Sequence, residues 1–151
     1  MGKFVFKLQA VFNLKKQIEN NLKNELGKAV QELERQKKKL KDIEFERAIY
    51  YQEINVKSSS GISVGKLKEF SSYISHLNEK IDHQKNNIKR AQKSVDKYRE
   101  QLIIAVQERK MMEKLREKKY EEFMKEQQRE EQKIIDEIAS YNYQITEEQS
   151  Y

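Results

Sequence analysis

Two histidines, His76 and His83, are the only imidazoles in the chain. An imidazole can ligate a metal or move a proton near neutral pH. On a helix this pair would lie about 10 Å apart, too far to share one ion. Glu79 and His83 stand one helical turn apart, but two donors do not complete a ligand set, and a solvated surface is the expected setting. There is no Cys, which excludes a disulfide scaffold, a Cys-ligated zinc site and a thiol nucleophile. No glycine-rich phosphate loop and no Ser-His-Asp arrangement is present. The expectation is a protein that is not an enzyme, with no cofactor, no metal and no small-molecule substrate. The groups left are those that make contacts. Residues 35–41 hold five basic side chains in seven and could meet phosphate. No stacking aromatics interleave with them, and Glu32 and Glu34 are close by, so a solvated helix face is expected there. Phe45, Tyr50, Tyr51, Phe70 and Tyr73 gather in one region. Phe4, Phe6 and Leu8 stand at one end of the sequence and Met111, Met112, Leu115, Phe123 and Met124 towards the other.

The elements that position these groups follow from composition and period. Of 151 residues, 37% are charged and 36% apolar, with no Pro and only 4 Gly. Such a chain has little turn chemistry for a many-stranded sheet. It suits long helices exposed on most of their surface. No stretch approaches the ~18 consecutive apolar residues of a membrane span. The N-terminal apolar run is interrupted at Lys7 and Asn13, unlike a secretory signal. A cytoplasmic protein is expected.

From Leu67 onward, steps of three and four fall on Phe70, Ile74, Leu77, Ile81, Gln84, Ile88, Ala91, Val95, Tyr98, Leu102, Ala105, Arg109 and Met112. That is an a/d seam of period 3.5, the pattern of a coiled coil. The first half repeats it at Leu22, Leu26, Ala29, Leu33, Gln36, Leu40, Ile43, Arg47, Tyr50 and Ile54. Upstream, Leu8, Val11, Leu14 and Ile18 extend the stripe with a broken spacing, which predicts a local unwinding of the supercoil. Residues 57–63, rich in Ser and containing Gly61, are the one clear breaker cluster, and Ser63 or Ser60 could cap the next helix.

Two heptad segments joined by a short loop predict an all-α fold: a two-helix antiparallel coiled-coil hairpin with an overhanging second helix. The expected organisation is one coiled-coil domain over 1–151. Its first helix covers about 4–56, the loop about 57–63, the second helix about 64–140, and the tail from Thr146 to Tyr151 is frayed. Paired residue numbers should add to about 117 or about 124, and the pattern does not choose between these registers. Residues beyond about 118 should have nothing opposite them. Charge is uneven: residues 20–41 carry seven basic and three acidic groups, residues 80–99 seven and two, and residues 121–151 three and nine. Such a distribution favours acidic partners in one place and basic ones in another.

The opening Phe4-x-Phe6-x-Leu8-x-x-Val11 resembles the start of the flagellar export protein FliJ family. So do Gly61-Ile62 followed by Leu67, Tyr73, Ile74, Leu77 and Ile81. Gln107-Glu108-Arg109-Lys110 with Glu113-Lys114-Leu115 fits as well, and Glu131-Gln132-Lys133 with Asp136-Glu137 is similar to the family's C-terminal signature. The resemblance covers nearly the whole chain. It implies a role in flagellum biogenesis, motility and chemotaxis through type III export. The implied part is a coiled-coil stalk whose termini enter the pore of a hexameric export ATPase and promote ring assembly. It also implies contact with the cytoplasmic domain of the export gate and handover of export chaperones. The implied location is the cytoplasm, at the inner face of the membrane at the flagellar base, with membrane association only through the gate.

Carried over by position, the ATPase-contact set is Phe4, Phe6, Leu8, Val11, Met112, Leu115 and Phe123. The gate-contact set is Ile43, Tyr50, Tyr73 and Leu77, of which Tyr50 and Leu77 match the family best. Glu46 departs from an aromatic position of that pattern. Two other readings compete: a nucleic-acid binder using the basic segments, which is disfavoured, and a generic tether that homodimerises through the overhang.

Overall fold

The computed structural model describes residues 2–150; Met1 and Tyr151 lie outside the described residues. It holds two helices, α1 (Gln9–Ser59) and α2 (Val64–Gln149), packed against each other. Among the described residues there is no strand. The two-helix hairpin expected from the heptads is therefore the fold.

The connection is short because its serines finish one helix and start the next. The hydroxyls of Ser58, Ser59 and Ser60 donate to the carbonyls of Ile54, Val56 and Lys57. These bonds occupy acceptors that a helix end leaves open. Gly61 then takes φ +95°, a left-handed conformation that only Gly reaches without steric cost. Ser63 is the cap of α2: its Oγ accepts the Lys66 N–H at 3.3 Å, and its carbonyl accepts the Leu67 N–H at 3.1 Å.

The chain divides into two compact units: Asn20–Ile104, and the residues up to 19 together with those from 105 on. In the first, the seam is the expected one. Leu33, Ala91 and Val95 form a buried cluster with Leu26, Ala29 and Ile88 packed on it. Ile74, Leu77 and Ile81 are buried towards the turn. Only Leu67, on the first turn of α2, is exposed. Leu33 beside Ala91 and the Arg47 bond to Asn78 select the register in which residue numbers add to about 124.

One layer of this seam is polar. Gln84, 6% exposed, donates from Nε2 to the Gln36 carbonyl at 2.8 Å and to Gln36 Oε1 at 2.7 Å, and accepts from Asn87. Gln36 in turn donates to Glu32, which Arg35 grips through both carboxylate oxygens. These bonds hold the Glu32 carboxyl down from an ordinary 4.5 to about 2: Arg35 contributes most, then Gln36. No buried side-chain N or O among the described residues lacks a partner, so the layer is satisfied.

The second unit departs from expectation. Its α1 segment does not use the Leu8–Val11–Leu14 stripe, all three being exposed. The regular spacing simply continues back from Leu22 to Glu19, Lys15 and Phe12. Phe12 and Glu19 are buried, so the predicted irregularity is absent. Charged residues are tolerated at the seam because α2 supplies partners: Arg109 Nε donates to Glu19, and Lys15 meets Glu108 at 2.9 Å. Lys15 with Glu108 fits the register of about 124 as well.

Helix α1 starts at Gln9 and not near residue 4. Phe4, Phe6 and Leu8 alternate with period two, which suits extended backbone better than helix. Residues 2–6 are not helical, and the Gln9 N–H donates to the Phe6 carbonyl at 3.0 Å where the chain turns in. This segment runs along α2 and reaches Tyr120, Phe123 and Glu126. Tyr120 and Phe123 thus have Phe4 against them, past the limit of about 118 that was expected. Beyond them Ile134, Ile135, Ile138, Tyr141 and Tyr143 are exposed. Helix α2 stays regular past residue 140 to Gln149, with Thr146 Oγ1 donating to the Asn142 carbonyl.

Candidate partner-contact surfaces

In the unit formed by the two ends of the sequence, five of the seven expected contact residues converge. Phe4, Phe6, Leu8, Leu115 and Phe123 line one groove of about 710 Å³. The Phe4 ring meets Tyr120 edge-on at 5.3 Å and Phe123 at 5.6 Å, and the Arg116 guanidinium sits 5.9 Å from it. Phe6 is buried beneath. Lys3, Lys7, Lys119, Glu122 and Glu126 rim the groove. Val11 and Met112 lie outside its lining. Val11 is exposed and Met112 half-buried. Phe4 and Phe6 are therefore committed to internal packing, whereas Leu8 and Val11 are free to be touched.

Near the turn, the four expected gate contacts sit differently from one another. Tyr50 stacks on Phe70 at 5.0 Å with rings nearly parallel, and packs on Tyr73 at 4.5 Å. The Tyr73 hydroxyl donates to the Glu46 carboxylate. That bond, then burial, then the negative charge of Glu46 push the Tyr73 phenol above its ordinary value. Ile43 is half-buried, and Leu77 is 0% exposed. Leu77 can influence a partner only through the packing of its neighbours. Glu46, the departure from the family's aromatic position, is the acceptor that fixes Tyr73.

Phe45 lies off the seam, as expected, and Ile49 and Val56, which were not singled out, share its face. Phe45 is 68% exposed and Val56 65%. The signal was available: Phe45, Ile49 and Val56 are four and then seven residues apart, one face of a helix that the seam does not use. His76 and His83 are exposed, and among the described residues no group of three or more His, Cys, Asp or Glu converges. In the basic run, Arg35 is engaged by Glu32 and Lys37 lies 3.8 Å from Glu34. No described helix is long and apolar enough to cross a membrane.

What fold and surfaces define is a helical hairpin whose chemistry lies in exposed apolar rows and rimmed grooves, a protein built for contacts with other proteins. Residues 4–148 match the family described as flagellar FliJ protein. The flagellar FliJ protein of Bacillus subtilis (strain 168) is 25% identical over 142 residues, covering 94% of this chain and 97% of that one. A solved structure, that of a proposed YscO homolog (CT670) from Chlamydia trachomatis, superposes with a TM-score of 0.74 at 22% identity. It covers 97% of this chain and 99% of that chain. Identity that low shows a shared fold. The match over nearly the whole chain shows more: this protein belongs to the flagellar FliJ family, and with the family comes its coarse role, a component of flagellar type III export.

Proposed function

We propose that the protein is a coiled-coil stalk of the export apparatus. Its terminal unit binds the hexameric export ATPase and promotes ring assembly. The region of the turn contacts the cytoplasmic domain of the export gate, and the stalk assists the handover of export chaperones. Association with the membrane is then indirect, through the gate, at the flagellar base. The observation that carries this reading is the family match across residues 4–148. The exposed apolar side chains of the terminal unit, Leu8, Val11, Met111 and Ile134 among them, support it. Apolar groups left in water at one end of a helical protein call for a partner.

The roles divide by accessibility. Leu8 and Val11 touch the ATPase directly. Phe4, Phe6, Leu115 and Phe123 shape the groove beside them, and Met112 supports it from the seam. Near the turn, Tyr50 and Tyr73 present ring edges to the gate, while Ile43 and Leu77 hold them in place.

The test is ATP hydrolysis and ring formation by the cognate export ATPase with and without this protein. Stimulation at less than one stalk per ATPase subunit is expected. Leu8→Ala with Val11→Ala should remove most of it while helicity by circular dichroism stays unchanged. Full stimulation by that variant would refute the terminal contact.

A further inference from the structure

The side of α2 turned away from α1 carries a short row of charges that nothing in the chain answers. Lys114, Glu117, Lys118 and Glu121 are all exposed, and all belong to the unit made of the two ends. Among the described residues none of the four lies within ion-pair distance of an opposite charge. A methionine stands at each end of the row, Met111 69% exposed and Met124 41%. On a helix, positions 111, 114, 117, 118, 121 and 124 fall within one arc of about 140°, opposite the seam positions 109, 112 and 116. The groove that holds Phe4 and Phe6 uses Leu115, Lys119, Glu122, Phe123 and Glu126 instead. Arg109 turns to Glu19 and Arg116 to Gln9. Neither α1 nor the N-terminal segment therefore takes this face.

We propose that this face pairs with the same face of a second copy of the chain, the two α2 helices running antiparallel about a two-fold axis between Glu117 and Lys118. The order of the charges selects this occupant. Read backwards, Lys114-Glu117-Lys118-Glu121 is its own complement. Lys114 of one copy meets Glu121 of the other, and Glu117 meets Lys118, each pair formed twice by the symmetry. Met111 meets Met124 at both ends. A parallel pair in register would set every charge against its like and is disfavoured. The antiparallel alignment does set Lys110 opposite Lys125, just outside each methionine pair. Both are exposed, and their long stems let the ammonium groups swing apart into water. Exposed ion pairs add little affinity, so the flexible, polarisable methionines supply the contact and the charges fix direction and register. From Met111 to Met124 is about 20 Å of helix, a small interface, so the pair is weak and reversible, with a Kd on the order of 100 µM. Met111 is covered in the pair, so pairing and any other contact that uses Met111 exclude each other.

The experiment is sedimentation of the full chain at concentrations from about 10 µM to about 1 mM, where a monomer–dimer equilibrium of this strength becomes visible. Lys114→Glu with Lys118→Glu turns the row uniformly acidic, and Glu117→Lys with Glu121→Lys turns it uniformly basic. Each variant alone should dimerise about tenfold more weakly or worse, because like charges then face each other. Mixed in equal amounts, the two should pair at least as tightly as the wild type. All four positions are exposed, so helicity should not change. The chain has no Cys, so the single variants Met111→Cys and Met124→Cys report the orientation by oxidative crosslinking. Mixed, they should crosslink to each other in preference to themselves. A wild type that stays monomeric over the whole range would overturn the proposal. So would a dimer that either charge variant leaves within twofold, a mixture that fails to recover pairing, or Met111→Cys copies that crosslink mainly to themselves.

Discussion

The two units of this protein share one heptad spacing and fill it differently. In Asn20–Ile104 the seam is mostly apolar, centred on Leu33, Leu77, Ala91 and Val95, with a neutral polar layer at Gln36 and Gln84 and one charged position, Arg47. In the unit made of the two ends, the same positions hold Phe12, Lys15, Glu19, Ala105 and Arg109. An aliphatic seam stabilises by burial and is indifferent to salt. A seam of ion pairs gains less net stability, because desolvation cancels much of the attraction. One region is thus built to hold its register and the other to be opened at lower cost. That division suits a protein whose terminal unit is proposed to enter a partner.

The sharpest way to break the comparison is at Leu77. Leu77→Ala should cost about 2–5 kcal/mol in urea unfolding, because a fully buried side chain leaves a cavity between two stiff helices. A loss below about 1 kcal/mol would mean that the aliphatic seam is not the stabilising part.

Next in size is Glu19. Glu19→Ala leaves Arg109 in the seam with only the more exposed Glu113 as a carboxylate partner and should cost about 2 kcal/mol, felt locally. Hydrogen exchange should speed up at amides 9–18 and hold steady at 26–50. Glu19→Leu combined with Arg109→Leu should slow exchange in the same amides. Equal loosening of both segments by the single substitution would erase the distinction between the units.

The glutamine layer is a subtler test. Gln36→Leu with Gln84→Leu removes a satisfied polar pair and should leave stability unchanged or raise it by about 1 kcal/mol. Its cost should appear as lost uniqueness. Spin labels on the two helices should then report more than one register, where the wild type reports one. A single sharp distance in the variant would show that packing alone fixes the register.

The smallest effect concerns Glu32. Its folded value, about 2, lies below the unfolded one, so its contribution is present above about 4.5 and fades as pH falls towards 2. An NMR titration of its carboxyl carbon should therefore give a midpoint near 2. Arg35→Ala should move that midpoint up towards the ordinary carboxylate range. A midpoint already in that range in the wild type would mean that the polar layer is not anchored as described.

The seam from Ile74 to Ala105 was legible because apolar residues repeat there with Gln84 as the one exception. The terminal unit was misread for a physical reason. A search for apolar stripes follows Leu8, Val11 and Leu14 and passes over charged residues, yet a charge can occupy a seam if the opposite helix answers it. Carrying the three-and-four spacing back from Leu22 would have landed on Glu19, Lys15 and Phe12, with Arg109 already known to sit in the opposing seam. The early start given to α1 came from reading Phe4, Phe6 and Leu8 as a helix face when their period is two. Of the contact residues, those lining the terminal groove were visible as apolar residues at the two ends. Leu77 was chosen by family position, while its place in the a/d seam already predicted the burial found. The Phe45–Ile49–Val56 row escaped because the stronger seam period lies on the same helix.

The N-terminal segment that packs on α2 has a consequence for how the molecule is made. The chain leaves the ribosome N-terminus first, and domains begin to fold as they emerge. Residues 20–104 can close on themselves as soon as residue 104 is out. Phe4 and Phe6 must wait for Leu115, Tyr120 and Phe123, more than a hundred positions later. Through most of synthesis these phenylalanines have no surface of their own to cover them. In the nascent chain, the groove proposed to lie beside the ATPase contact therefore acquires its shape only after the seam of residues 20–104.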